Sequence, residues 1–246
     1  MHSIYAVYLR ELRGYFATPI IYVFTTIFLV IAGLLTFVNG GFFERGEANL
    51  SGPFFSWIPL LMALFAPAVG MRIWARENRL GTLDLLFSHP VQLQSLVLGK
   101  FLAALSALCA PLFLTVSFVF TVAYLGEPDY LILLSSYFGS VLVGAAFVAI
   151  TCACSAVSRN QVISFVVSTA LCLIIVLLGT SQLSNEMIVL LPGSRTAVDA
   201  ISSLAIKPHF DGFRKGLIET RSLFYFITFI GAALLINYMT LLRKQR

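Results

Sequence analysis

Residues Phe101 to Gly126 read FLAALSALCAPLFLTVSFVFTVAYLG, a run without a single aspartate, glutamate, lysine or arginine. A helix crosses a hydrocarbon core of about 30 Å with roughly 20 residues, so this run is long enough to span a bilayer. Five more stretches share the property: Gly14 to Phe43, Ala48 to Met71, Tyr130 to Ser158, Asn160 to Asn185 and Ser222 to Leu242. All six must be helical, because a lipid-embedded backbone has to satisfy its own hydrogen bonds and none alternates like a barrel strand. The expectation is an all-α polytopic membrane protein, one domain over residues 1–246. Its spans should lie near 19–38, 54–72, 101–125, 132–157, 162–182 and 222–242.

Composition agrees. Of 246 residues 59% are hydrophobic and 11% charged, and the mean hydropathy is +0.93. These proportions exclude a soluble globular domain and a nucleic-acid binder. Six spans put both termini on one side. The segments on that side hold ten basic residues (Arg10, Arg13, Arg72, Arg76, Arg79, Lys100, Arg159, Arg243, Lys244, Arg246) against three acids, Glu11, Glu77 and Asp84. The other side holds six basic residues and eight acids. By the positive-inside rule both termini are expected in the cytoplasm, and the start of the chain shows no cleavable leader.

The chemistry of catalysis is missing. No charged residue lies at a span centre, where one would cost about 2.5–3.5 kcal/mol and would mark a proton or ion path. That weakens an ion-coupled secondary transporter. His2, His89 and His209 lie outside the spans, so no Ser/His pair forms within them. Cys109, Cys152, Cys154 and Cys172 all fall in apolar spans and read as small hydrophobes, with no disulfide framework or metal site. Gly99-Lys100-Phe101 is not a phosphate loop, since Gln94 replaces its first glycine and Phe101 its hydroxyl. No catalytic, cofactor or metal residue is expected in this chain; if ATP drives it, a partner hydrolyses the ATP.

Two segments on the basic side could meet such a partner. In residues 1–17, Tyr5, Tyr8, Leu12 and Tyr15 share one helical face and Ser3, Ala6, Arg10 and Arg13 another, which predicts an interfacial helix along the inner leaflet before Pro19. Its plain role is an anchor. A further role is contact with a cytoplasmic subunit through Tyr8, Arg10 and Arg13. The second segment runs from Arg72 to Lys100. There Gly81 can end the helix leaving span two, Thr82 can cap a short new one with Asp84 in its first turn, and Pro90 ends it.

The motif Glu77-x-x-x-Gly81-Thr82-Leu83-Asp84-Leu85-Leu86-x-x-x-Pro90, followed by Leu98-Gly99-Lys100-Phe101, resembles the cytoplasmic signature of the ABC-2 family of ATP-binding-cassette permeases. Asp84 stands where that family usually has glutamate. Tyr15-Phe-x-x-Pro19-Ile-x-Tyr22-Val-Phe and His209-Phe-x-x-Phe213-x-x-Gly216-x-Ile218, leading to Tyr225-Phe226, look like its gliding-motility and copper-enzyme-maturation branch.

The resemblance covers essentially the whole chain. It implies a six-helix domain in a bacterial inner membrane, paired with a second copy or sister permease, on two separate ATPase subunits that carry ATP and Mg. Their coupling contact would be the loop with Arg76, Glu77, Arg79, Gly81, Thr82, Leu83, Asp84, Leu85, Leu86, Pro90 and Lys100. A smaller second contact would be the turn Ser158, Arg159, Asn160, Gln161. The work done would be export or mechanical. An ion-coupled transporter and a scaffold that anchors ATPases or motility proteins are the alternatives.

On the other side, 192–221 is amphipathic: Val198, Ile201 and Leu204 on one face, a break at Pro208, then Phe210, Phe213 and Leu217 on another. This predicts a pair of short helices on the outer leaflet that lid a dimer, or else a gate or a dock for an extracytoplasmic partner. In span four Ser140, Gly144, Ala145, Ala149 and Ala153 permit close helix approach, within the chain or across a dimer seam.

Overall fold

The computed structural model describes residues 2–40, 49–81, 92–180 and 204–245. Every element among them is helical, and six helical stretches are long and apolar enough to cross a membrane. An amphipathic helix α1 (His2–Phe16) precedes the first, α2 (Pro19–Leu34), which continues through a π-turn at Leu35–Asn39. Pro19 occupies the first turn of α2, where its missing N–H costs nothing, and the Thr18 hydroxyl donates to the Tyr15 carbonyl at the corner. Span two comprises α3 (Ile58–Gly70) and α4 (Arg72–Leu80); span three, α5 (Leu93–Leu114) and α6 (Val116–Leu125). Span four is α7 (Tyr130–Val157), span five α8 (Gln161–Leu178) and span six α10 (Thr220–Gln245). A short helix, α9 (Ile206–Arg214), lies between the last two.

Each charge-free run overlaps one of these helical stretches, but several helix ends differ from the expected span ends, and the helix of span five stops at Leu178 rather than 182. Span two continues to Leu80 instead of stopping near 72, and span three begins at Leu93 instead of 101. Charged residues end a hydrocarbon stretch without ending a helix. Arg72 to Leu80 stays helical until Gly81, which takes the left-handed conformation (φ 66°, ψ 16°) and returns its N–H to the Glu77 carbonyl.

Span four is the centre of the bundle, and its small residues serve packing within the chain. A β-carbon at Gly144 would stand 3.0 Å from Leu108, and one at Gly139 2.7 Å from Phe213. Ser140, Ala145 and Ala149 are buried. Spans two and four approach closely where Gly70 meets Thr151, 2.7 Å from where a β-carbon would lie. One turn on, Ser155 enters the backbone ladder of span two. Its hydroxyl accepts from the N–H groups of Trp74 and Ala75 (both 3.0 Å) and donates to the Met71 carbonyl (3.1 Å). Such an insertion between Met71 and Ala75 accounts for the interruption between α3 and α4.

At the end opposite the termini, α9 buries Ile206, Phe210 and Phe213 against span four. Pro208 does not break the chain, as expected above; it sits in the first turn of α9, where backbone N–H groups have no intrahelical partner. Leu217 does not continue the face of Phe210 and Phe213. It follows Gly216, whose φ of 79° turns the chain away, and it is exposed. Val198 and Ile201 lie outside the described residues. Arg214 ties α9 to the segment after span one: its Nε donates to the Ser51 carbonyl (2.9 Å) and the Ser51 hydroxyl to the Arg214 carbonyl (2.6 Å).

Candidate functional site

At the end that carries both termini, α1, α4 and α5 meet on one buried cation. Lys100 is 2% exposed. Its ammonium lies 2.6 Å from Glu77 Oε1 and 3.4 Å from Glu11 Oε1, donates to the Ile73 carbonyl at 3.1 Å, and stands 4.8 Å from the centre of the Trp74 ring. A buried ammonium is tolerable only when its three donors and its charge are answered, and here three helices supply the answers. Glu77 Oε2 and Trp74 Nε1 are buried with no partner among the described residues.

Gly99, next to Lys100, lets α1 close on this ion group. A β-carbon there would lie 2.8 Å from Val7 Cγ1 and 3.1 Å from the Ile4 carbonyl. Farther along the contact, the Tyr8 and Ser106 hydroxyls meet at 3.1 Å, and Tyr15 donates to the Val69 carbonyl at 3.1 Å. Burial pushes the Tyr15 phenol well above its ordinary range, with Cys152 and Glu11 reinforcing and Arg72 opposing, so Tyr15 remains a donor. The helix has three faces. Val7, Tyr15 and part of Tyr8 face protein, exposed Tyr5 and Phe16 form an apolar strip, and Arg10 and Arg13 face outward. Arg10 is tied to Glu11 at 2.9 Å.

A second cluster joins spans two, four and six beside the first. Asn78 Nδ2 donates to the carbonyls of Ala156 (3.2 Å) and Ser158 (3.0 Å) at the end of α7. Lys244 Nζ donates to the Ala156 carbonyl (2.7 Å) and to Asn78 Oδ1 (3.0 Å). A cation and an amide therefore satisfy carbonyls left open by the helix terminus, where positive charge is favoured.

The residues expected at a partner surface divide accordingly. Arg76, Arg79 and Gly81 are exposed at the end of α4. Glu77 and Lys100 are not presented outward: they pair with each other, and Lys100 belongs to the second turn of span three rather than to a loop. Thr82, Leu83, Asp84, Leu85, Leu86 and Pro90 lie outside the described residues. In the turn between α7 and α8, Arg159 is exposed, the Ser158 carbonyl is held by Asn78, and Asn160 caps α8 through a 2.9 Å bond from the Val162 N–H to its side chain.

Sequence reasoning missed Glu11, Trp74, Asn78, Ser155 and Lys244 as parts of this assembly. The available signal was a lone lysine following a glycine at the foot of an apolar span. Such a lysine needs a carboxylate, and only Glu11, Glu77 and Asp84 share its side.

The family model described as ABC-2 family transporter protein matches residues 5–242. No curated protein matches the chain.

Proposed function

The chain belongs to the ABC-2 transporter family, and on that footing we propose that it is a permease subunit that converts ATP hydrolysis by separate ATPase subunits into export or mechanical work. The observation that carries this reading is the ion group of Lys100, Glu77 and Glu11. It fastens the foot of span two, the foot of span three and α1 into one body, at the end of the bundle where the chain leaves span two at Gly81 and re-enters span three after Gln92. A push on the connecting segment would be delivered to three helices at once, as coupling to a two-state bundle requires.

The exposed Arg76 and Arg79, with Arg159 on the neighbouring turn, make this end of the bundle basic and suited to an acidic rim on a partner. The same cations, with Arg10, Arg13 and Arg243, support a cytoplasmic position for this end of the bundle in a bacterial inner membrane. A second copy or sister permease would complete a pair over two ATPase subunits that hold ATP and Mg. The segments around Tyr15 to Phe24 and His209 to Ile218 favour the gliding-motility and copper-enzyme-maturation branch, in which mechanical work or support of an extracytoplasmic partner is as fitting as export.

The deciding experiment is reconstitution with its cognate ATPase subunits in vesicles. ATP turnover that rises with this chain and ignores an imposed ion gradient is expected. Turnover indifferent to the chain would leave the scaffold and the ion-coupled transporter, and substrate flux that follows an imposed ion gradient would single out the transporter.

A further inference from the structure

One face of α4 carries arginine at i, i+4 and i+7: Arg72, Arg76 and Arg79. Its other faces are committed. Trp74 and Ala75 give their N–H groups to Ser155 of span four, while Glu77 and the Ile73 carbonyl are turned to Lys100. Arg76 and Arg79 are exposed, and Arg72 is half-buried where α4 meets α1. Its guanidinium stands over the Tyr15 ring, 5.8 Å from the centre, and that ring is fixed by the bond from its hydroxyl to the Val69 carbonyl. A guanidinium is a fork of N–H donors, and none of those of Arg72 bonds to a described residue.

The surroundings of Arg72 place it at the edge of the hydrocarbon. α1 carries exposed Arg13 in its last turn, and just beyond it Phe16, Ile20 and Val23 are exposed and apolar. Exposed charge gives way to exposed hydrocarbon at this corner, as it does where lipid headgroups meet acyl chains. Arg72 also lies eight residues, or about 12 Å, back along α4 from Leu80, farther in than a soluble partner at the helix end would reach. No acid at this end is free to answer it. Glu11 is shared by Arg10 and Lys100, and Glu77 is paired with Lys100. Span one, the foot of span three, the α7–α8 turn and the last turns of span six contain no acid. Arg13, Arg72, Arg76, Arg79, Arg159 and Arg243 pair with no carboxylate among the described residues, and Lys244 is held by a carbonyl and an amide. Asp84 and Arg246 lie outside the described residues.

We propose that Arg72, backed by Tyr15, binds the phosphate of an anionic phospholipid in the leaflet at this end of the bundle. A phosphate can take two guanidinium donors side by side. The surplus of cations selects a headgroup that brings no cation of its own, so phosphatidylglycerol fits and phosphatidylcholine does not. The acyl chains then lie beside Phe16, Ile20 and Val23. This reading rests on the membrane spans and is independent of the ATPase.

The test is native mass spectrometry of the full chain, delipidated in detergent and titrated with each lipid. Phosphatidylglycerol should fill the first site at a several-fold lower concentration than phosphatidylcholine. Arg72→Gln should bring the two lipids level, and Arg72→Lys, which keeps the charge without the fork of donors, should fall between. Arg159→Gln removes the same charge from the same end and should leave the preference in place. Excess inorganic phosphate should not displace the lipid. Wild-type protein that holds both lipids equally would overturn the proposal whether or not the variants fold. So would an equal loss of preference in Arg159→Gln, which would mean attraction by net charge alone, or displacement by inorganic phosphate, which would make this a site for free anions. An Arg72→Gln variant that keeps its lipid preference and loses its ATPase subunits instead would give this face to a protein.

Discussion

Gly99 lies beneath Val7 so closely that the two helices meet backbone to side chain: a β-carbon at 99 would stand 2.8 Å from Val7 Cγ1. The nearby Ile4 carbonyl, at 3.1 Å, is part of the α1 backbone and cannot rotate away. Gly99→Ala should therefore lift α1 from span three and strain the Lys100 group, an overpacking cost of about 1–3 kcal/mol. Thermal unfolding of the purified chain in detergent reads it. Gly231→Ala is the internal comparison, because a β-carbon there meets nothing within 4 Å. An equal fall in Tm for both would show that the α1 contact is not what makes position 99 sensitive.

Ser155 should be intolerant of a smaller change. Ser155→Ala removes one oxygen and strands two backbone N–H groups and a carbonyl in the buried step between Met71 and Ala75. An unsatisfied buried polar group costs about 1–3 kcal/mol. Relaxation of span two into an unbroken helix could recover part of that, so the expected loss lies toward the lower end. A variant as stable as wild type would show that span two closes its own ladder without help.

The contrast between legible and illegible features follows from the range of the forces. A span is a local property: twenty residues without charge suffice, and each of the six charge-free runs overlaps a helical stretch long and apolar enough to cross a membrane. The end of span two could not be located that way, because charge reports where lipid stops while only the αL turn at Gly81 reports where the helix stops. The Lys100 group was harder still. Glu11 and Lys100 are brought together by a Val7–Gly99 contact that no periodicity encodes. Arg76 and Glu77 are neighbours in sequence, yet one faces outward and the other pairs inside. Ser155 reads as one more small residue of span four, and its task becomes visible only when Trp74 lies beside it.

Burial of the ion group changes what salt should do. Had Glu77 faced a partner, charge reversal there would weaken with ionic strength, over a screening length near 8–10 Å. Paired with a cation 2% exposed, its contribution should persist at high salt. Lys100→Met, which takes the cation from Glu77 while Glu11 keeps Arg10, should cost about 3 kcal/mol, the low end for breaking a buried pair because Glu77 is partly exposed. Glu77→Gln should cost less, because Glu11 and the Ile73 carbonyl still serve Lys100. In a double-mutant cycle the two losses should fall well short of additive. Additive losses, or a Glu77 effect that salt abolishes, would place Glu77 on an open surface after all.

Orientation is open to direct labelling. Cysteines at Lys215 and Lys207 should react with an impermeant thiol reagent applied outside intact cells, and one at Arg79 should not. Arg79 is preferable to Asn78 as the inner probe, since Asn78 holds the end of span four and its loss would disturb the fold. The reverse labelling pattern would invert the assignment of cytoplasmic and outer ends.

Coupling should depend on the conformation of Gly81 rather than on its contacts. The residue has φ 66°, and a β-carbon there would meet nothing within 4 Å, so substitution acts only through the backbone. A non-glycine residue in the left-handed region costs roughly 1–2 kcal/mol, whereas asparagine tolerates it. Gly81→Val should thus redirect the chain entering the segment before Gln92, while Gly81→Asn should keep its path. Neither change reaches a span, so membrane insertion and yield should match wild type for both. Copurification of the ATPase subunits, or the dependence of ATP turnover on this chain, should fall in the valine variant and survive in the asparagine variant. Glu47→Lys, in the connection between spans one and two, should leave ATPase binding intact. If valine and asparagine behave alike and both retain full coupling, the turn at Gly81 does not aim a docking segment. The interface with the ATPase must then be sought at Arg159 and the α7–α8 turn.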